Sequence, residues 1–554
     1  MRLKAWALIL SLGTVIGFYA GGSSPARTIF AQGYLRYGFW RLCAEQLRPA
    51  VTSAVLVALG VSLALALSAH VLGRRRARPA SGGRGAGAPP GGRTTLDQAW
   101  VSFVLAAGAV HLLLVAGFHL GPAIDERLGR RTRADVLMIV IDTLRADHLG
   151  AFGYGRETSP HLDSLAADSI LWRRALSHAP WTSPSVGALL TSLHPAALGF
   201  GDSRNPVRPD DRVLYFAEIL RENGYRTQAI VSHTYLSAKL GFDQGFDDYD
   251  EQNARGPGHV SSPSVTDKAI AVLRRAQRQP TFLLAHYFDP HFNYLRHEPF
   301  DFDPGYDGEL PEHMGELRRT ARDLGARDLD QLRARYDSEI RFTDEHIGRL
   351  IAALRELGRY DQTLIVVTAD HGEAFMERDD HWIGHTKTLF QEAIHVPLLI
   401  KLPGGAGGGS VIDAPVGLID LVPSLLRYLD LRGPAGYRFD GEALPLADPA
   451  ALRAVDGRPV FSETTARGRW LQSVVHGRFK LIFDRRHQRM SFFDLERDPG
   501  ESNDLAGDPP PELRELARAL RGWNQTMDPR RPRAEEPPEL TAKEQERLRA
   551  LGYL

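Results

Sequence analysis

Hydrophobic positions fall into two textures along this chain. Over the first 130 residues they come as unbroken apolar runs, at 5–22, 51–73 and 99–121. Each run has the length, or nearly the length, of a helix that crosses a hydrocarbon layer. From residue 134 the runs shorten and alternate. "DVLMIVIDT" (135–143), "RTQAIVSH", "TFLLAHYFD" and "TLIVVTADHGE" are β-rich and apolar, and each ends in polar residues. Between them, "HLDSLAADSI", "VLYFAEILREN" and "YDSEIRFTDEHIGRLIAALREL" repeat apolar residues at helical spacing. Strands alternating with helices predict an α/β domain over 134–457, with a parallel or mixed sheet flanked by helices. In such sheets ligands bind beyond the carboxyl ends of the strands.

After residue 458 the pattern changes again. "PVFSETT", "QSVVHGRFKLIFD" and "RMSFFDLE" read as short antiparallel strands, and "PELRELARALRGW" as an amphipathic helix. They predict a small C-terminal subdomain over 458–528. The Pro- and charge-rich remainder, 529–554, is expected to be a loosely ordered tail.

Charge adds a topology to the apolar runs. The loop 74–98 is a Gly/Pro/Arg tract with six arginines, and the segment between the first two runs carries four. Arg-rich short loops stay cytoplasmic. The expectation is a multi-pass membrane region of about three helices, a cytoplasmic 74–98 loop, and a catalytic domain that is extracytoplasmic, periplasmic or at the cell surface. The run 5–22 follows Arg2 and Lys4, so a signal peptide fits that segment as well. The formal net charge is +0, which gives no basic field for nucleic acid. The single cysteine, Cys43, lies in the first 130 residues and excludes an intrachain disulfide framework.

Candidate chemistry gathers at the polar ends of the apolar stretches. "IDTLRADHLG" supplies Asp142, "PWTSPSVGALLT" Thr182, "HYFDPHFNY" His291, "TADHGE" Asp370 and His371, and "GHTKTLF" His385 and Lys387. Asp142, Asp370 and His371 are oxygen and nitrogen donors suited to one divalent cation, calcium, magnesium, manganese or zinc. Thr182 precedes Ser-Pro-Ser, so by itself it is also a helix N-cap. At a helix N-terminus its hydroxyl would stand beside backbone N–H groups that favour a tetrahedral anion. As a further metal ligand it would be activated as a nucleophile. His291, His385 and Lys387 would neutralise anionic oxygens or move a proton. Only seven residues are lysine, so Lys387 inside such a motif is informative.

Taken in order, "VIDTLRADHLGAFGYGRETSPHLDSLA", "FAEILRENGYRTQAI", "GFDQGFDDY", "YDSEIRFTDEHIGRL", "VTADHGE", "GHTKTLFQEAIHVPLLIKLPG" and "FFDLERDPGESNDLA" resemble the landmarks of the sulfatase family within the alkaline phosphatase superfamily. The resemblance spans 135–523. It implies an alkaline-phosphatase-like fold and metal-assisted hydrolysis of a sulfate or phosphate ester. The departures are as informative. Sulfatases carry Cys or Ser, then x-Pro-x-Arg, and oxidise the first residue to formylglycine. Here Thr182 holds that position and Val186 replaces the arginine, so no formylglycine is expected. The usual aspartate pair of the first motif is Asp142–Thr143. The Gly-Lys-Trp-His stretch that contacts sulfate is absent, and "VSHTYLS" with His233 stands near its place.

Three readings follow. The first is a membrane-anchored hydrolase of a sulfated or phosphorylated glycan, lipid or small-molecule ester, acting through a metal-activated nucleophile. The second is a transferase that passes a phosphoethanolamine- or phosphoglycerol-like head group through Thr182, since superfamily relatives with a threonine nucleophile do so at bacterial membranes. The third is a sulfatase-fold binding module without activity.

Overall fold

The continuous apolar stretches form the centre of one large sheet. Its strands are β1 (Asp135–Ile141), β2 (Ile170–Leu176), β3 (Arg226–Ile230), β4 (Asp248–Asp250), β5 (Thr281–Tyr287) and β6 (Thr363–Ala369). A small hairpin, β7 (Ala374–Phe375) with β8 (Ile383–Gly384), stands apart, and β9 (His395–Lys401), β10 (Val411–Ile412) and β11 (Val416–Gly417) return to the large sheet. In the computed structural model the described residues are 133–550, except 205, 255–258, 276–278, 312, 379–380, 508 and 532–540. The apolar runs at 5–22, 51–73 and 99–121 and the 74–98 loop lie outside the described residues. Among the described residues no helix is long and apolar enough to cross a membrane.

The strand order is β10-β2-β9-β6-β1-β5-β3-β4, with β11 also on β2. β6, β1, β5, β3 and β4 run parallel to one another, whereas β9 runs antiparallel between β2 and β6. The sheet is therefore mixed. Helices cover it, and β1, β5 and β6 are buried on both faces, which is why their sequences are apolar without alternation. The register between β1 and β5 sets Val140 opposite His286 and Ile141 opposite Tyr287. The amide of Asp142 continues that ladder by donating to the Tyr287 carbonyl at 2.9 Å. Because paired residues share a face and the side-chain period is two, His286, Val140 and Asp142 stand on one side of the sheet.

Two helices position the chemistry. α1 (Thr182–Thr191) starts beyond β2, and all ten of its residues are buried. α2 (Ala326–Glu356) is long and amphipathic, and its buried side includes Tyr336. The C-terminal part forms a four-stranded antiparallel sheet of β12 (Val460–Thr464), β13 (Leu471–His476), β14 (Phe479–Asp484) and β15 (Arg489–Asp494). α3 (Pro511–Met527) packs Leu513, Leu516, Leu520 and Trp523 against Val474, Leu481 and Phe492 of that sheet. The expected loose tail is corrected in part. Ala542–Ala550 is a helix, α4, whose Leu548 is only 1% exposed and joins the main core, while Glu544 pairs with Lys239 at 3.0 Å. Burial of one leucine and one ion pair outweighs the polar composition that suggested disorder.

Candidate active site

Seven of the eight side chains proposed from the sequence meet at one end of the sheet. Asp142 follows β1, His233 follows β3, His291 follows β5, Asp370 and His371 follow β6, His385 follows β8, and Thr182 opens α1. All seven are buried, with Thr182, Asp142, His233, Asp370 and His371 at 0% exposure. The imidazole rings form a chain. His371 and His385 have centroids 4.5 Å apart, His385 and His291 5.0 Å, and His291 and His233 5.4 Å. Lys387 is the eighth. It is half-buried two residues beyond His385, with Nζ 3.7 Å from the centre of the Trp382 indole, a cation–π contact shared with Arg318 at 4.4 Å.

Thr182 is not the helix cap. The N-cap is Trp181, whose extended backbone (φ −166, ψ 158) carries no capping side chain, and Thr182 is the first helical residue. Its hydroxyl is 3.5 Å from His371 Nε2. The rest of the first turn is anchored by its serines. Ser183 donates to the Tyr235 carbonyl at 3.2 Å, and Ser185 donates to the carbonyl of Asp370. These bonds tie the helix start to the β3 and β6 loops.

The turn after β1 is held in a strained state. Thr143 has φ 57, a left-handed conformation that costs a β-branched residue about 1–3 kcal/mol. Its amide donates to Asp370 Oδ1 at 3.2 Å, and its carbonyl accepts from the Tyr336 hydroxyl at 2.7 Å. Tyr336 in turn accepts from the Arg145 amide at 2.9 Å. α2 thus clamps the turn that aims Asp142. Past β6, the Asp370 carboxylate also accepts the His371 amide at 2.8 Å. Gly372 is required here by close approach, since a Cβ would lie 2.2 Å from the Glu392 carbonyl oxygen. Gly372→Ala is expected to displace the His371 loop, costing roughly 1–3 kcal/mol of stability and most of the activity. Thermal melts and turnover of the purified variant check this.

Hydrogen bonds fix which nitrogen of each imidazole faces the cluster. His371 donates from Nδ1 to the Gly372 carbonyl at 2.9 Å, so Nε2 carries a lone pair. His385 Nδ1 is hydrogen-bonded to Glu373 at 3.0 Å, which turns its Nε2 toward the cluster. His233 is the reverse. Its Nδ1 accepts the Tyr235 amide at 3.0 Å, so its proton sits on Nε2. Glu373 and His286 belong to the cluster and were not among the residues proposed from sequence. The signal for Glu373 was its place in "TADHGE". The signal for His286 was one polar residue in an otherwise apolar strand.

The electrostatics ask for a cation. Burial raises the Asp142 carboxyl well above the ordinary range, and the Asp370 and Glu373 carboxylates add to it. Burial raises Asp370 also, opposed by His371. Glu373 is pushed up to about 8 by burial. Burial lowers His286 to about 3 and holds His233, His291 and His385 well below the usual imidazole range. Neither oxygen of Asp142 accepts a hydrogen bond among the described residues, and neither does Asp370 Oδ2. His371 Nε2 lies 3.7 Å from Asp142 Oδ1 and 3.4 Å from Asp370 Oδ2. Buried carboxylate oxygens without donors, facing the Nε2 of His371, fit a divalent metal ion. Asp142, His233 and His291 also each offer an atom within 4.8 Å of the others. The proton on His233 Nε2 makes it a donor to anions instead of a ligand.

Comparison with known proteins gives the family. A family model described as Sulfatase matches residues 134–431, more than half of the chain. The chain belongs to the sulfatase family. It is accordingly an ester hydrolase, with the mixed sheet and small antiparallel sheet of that fold. Among characterised members, it is similar to the ulvan-active sulfatase of Formosa agariphila, 26% identical over 69% of this chain and 79% of the relative. It is also similar to the multifunctional alkaline phosphatase superfamily protein PehA of Trinickia caryophylli, 26% identical over 68% of this chain and 92% of PehA. Among solved structures, the phosphonate monoester hydrolase of Silicibacter pomeroyi superimposes with TM-score 0.58 at 25% identity, covering 72% of this chain and 96% of that one.

Proposed function

We propose that this sulfatase-family hydrolase uses the Thr182 hydroxyl to attack a sulfate or phosphate-type ester. The observation that carries the reading is the position of Thr182, buried at the start of α1 and 3.5 Å from His371 Nε2, inside the cluster of carboxylates and imidazoles. A divalent ion held by Asp142, Asp370, His371 and Thr182 would lower the hydroxyl pKa and neutralise ester oxygens. The chain's own groups do the rest. Thr182 Oγ1 bonds to sulfur or phosphorus as the alcohol oxygen departs. The hydroxyl proton passes to a neutral imidazole, His385 or His291, the latter with Nδ1 donating to the Phe292 carbonyl at 3.4 Å, and from there to the leaving oxygen. The Nε2–H of His233 donates to a non-bridging oxygen, and the ammonium of Lys387 offsets the remaining charge. Water then cleaves the Thr182 ester.

The relatives support both chemistries, since their names include a sulfatase active on ulvan and a phosphonate monoester hydrolase. Sulfated glycans are the substrate class we favour, with phosphorylated glycans, lipids and small-molecule esters as the other arms of the test. We infer further that the apolar runs at 5–22, 51–73 and 99–121 anchor the enzyme in a membrane, with the catalytic domain outside the cytoplasm. A reporter active only outside the cytoplasm should be active when fused after Leu554 and silent when fused near Gly85. The opposite pattern would invert the topology.

The decisive chemical test is acid-quench mass spectrometry after brief exposure to aryl sulfate, phosphate monoester or phosphodiester probes. A sulfated or phosphorylated peptide containing Thr182 should appear, and its mass tells sulfur from phosphorus. A threonine ester that passes its group to an added lipid or glycan faster than to water would instead support head-group transfer.

A further inference from the structure

Among the polar groups buried around the site, His286 plays no part in the reaction above. It lies inside β5, is 1% exposed, and shares a sheet face with Asp142 through the Val140–His286 register. Its Nε2 stands 3.8 Å from Asp142 Oδ2, too far for a hydrogen bond. Among the described residues Nε2 has no hydrogen-bond partner, as is true of both Asp142 oxygens. The other nitrogen is fixed. Ser232 spends its one proton on the His286 carbonyl at 2.5 Å, so its oxygen, 3.2 Å from Nδ1, accepts the Nδ1 proton. Nε2 therefore presents a lone pair to a buried carboxylate. Two acceptors facing each other in a dry interior repel unless a cation lies between them. Asp142, His286 and Asp370 each offer an atom within 4.8 Å of the others.

We propose that His286 is a ligand of the metal ion, oriented by Ser232, and that the resulting set selects a zinc-class transition ion over calcium. This rests on the metal site of the proposed function and extends its ligand set. The neighbouring position Thr143 brings a hydroxyl in place of a carboxylate, so the carboxylates are those of Asp142 and Asp370, joined by the Thr182 hydroxyl and the nitrogens of His371 and His286. Calcium takes six to eight oxygen ligands, whereas a mixed set of imidazole nitrogen and carboxylate oxygen suits zinc and its first-row neighbours. The outer hydrogen bond from His286 to Ser232 is the kind that sets the tautomer of a metal-bound histidine.

The test is metal affinity, read independently of turnover. Full-length protein is stripped with a chelator and titrated with Zn²⁺ or Ca²⁺ against a chromophoric competitor. Wild type should bind Zn²⁺ much more tightly than Ca²⁺. Loss of a direct ligand should cost at least the roughly 10–100-fold that loss of an outer partner costs. His286→Ala and His286→Gln should therefore weaken Zn²⁺ binding by about 100-fold and leave Ca²⁺ binding nearly unchanged. X-ray absorption of the Zn²⁺-loaded wild type should count two imidazoles, a measurement that needs no variant to fold. One imidazole, an unchanged Zn²⁺ affinity in folded His286 variants, or a preference for Ca²⁺ would overturn the proposal. Asp370→Asn separates the two levels. If it abolishes binding and the His286 variants do not, only the role of His286 fails. If it too leaves binding intact, the metal site itself is misplaced.

Discussion

Thr182→Ala is expected to lower kcat by roughly 10³-fold or more, as removal of a nucleophile does, with little change in folding. Thr182 makes no capping bond, so the substitution does not remove a cap. It deletes a buried hydroxyl and a methyl group at the first helical residue, where alanine is tolerated, for about 1 kcal/mol. Thr182→Ser keeps the hydroxyl and should keep a measurable fraction of turnover. The covalent adduct should vanish in the alanine variant and persist in the serine variant. Steady-state kinetics beside thermal melts separate this from a structural role, in which stability would fall and turnover per folded molecule would hold. Full turnover by Thr182→Ala would reassign the attack to water.

The second large effect concerns metal removal. Asp370 Oδ1 accepts from Thr143 and His371, and an asparagine oxygen can keep both bonds. Asp370→Asn should therefore fold, lose metal affinity by about 100-fold or more, and lose activity in step. Without metal the variant should be no less stable than chelated wild type, because it removes a carboxylate that repels Asp142. The chelated wild type should also become pH-sensitive. Burial raises Glu373 from 4.5 to about 8. A carboxyl whose folded pKa is raised keeps its full contribution below the unfolded value and loses it as pH climbs through the folded value. Stability of the metal-free protein should thus fall between about pH 4.5 and 8, and Glu373→Gln should flatten that slope. Denaturant melts across this range, with and without chelator, check both points.

Much of this architecture was legible in the chain. β1, β5 and β6 are buried on both faces, so their sequences are continuous apolar runs, and the candidate site residues follow where those runs stop. Asp142, Asp370 and His371 could be named because a polar residue at the end of a buried strand has few structural duties. The C-terminal strands and α3 could be named because their alternation and helical periodicity survive in the local pattern.

What the sequence left open depended on contacts between distant segments. Whether Thr182 caps a helix or lies one residue inside it turns on the backbone of Trp181 and on His371, 189 residues away. The antiparallel course of β9 between β2 and β6 follows from packing, since its apolar pattern suits either direction. The docking of Leu548 into the core is equally invisible in a charged segment. His286 shows the division most clearly. Composition marks it only as one imidazole in an apolar strand. The β1–β5 register brings it beside Asp142, and the Ser232 hydroxyl decides which nitrogen it presents. Hydrophobic period is a local property that a chain carries in its order of residues. Register, tautomer and the meeting of two buried lone pairs are relations between segments, and only the folded sheet sets them.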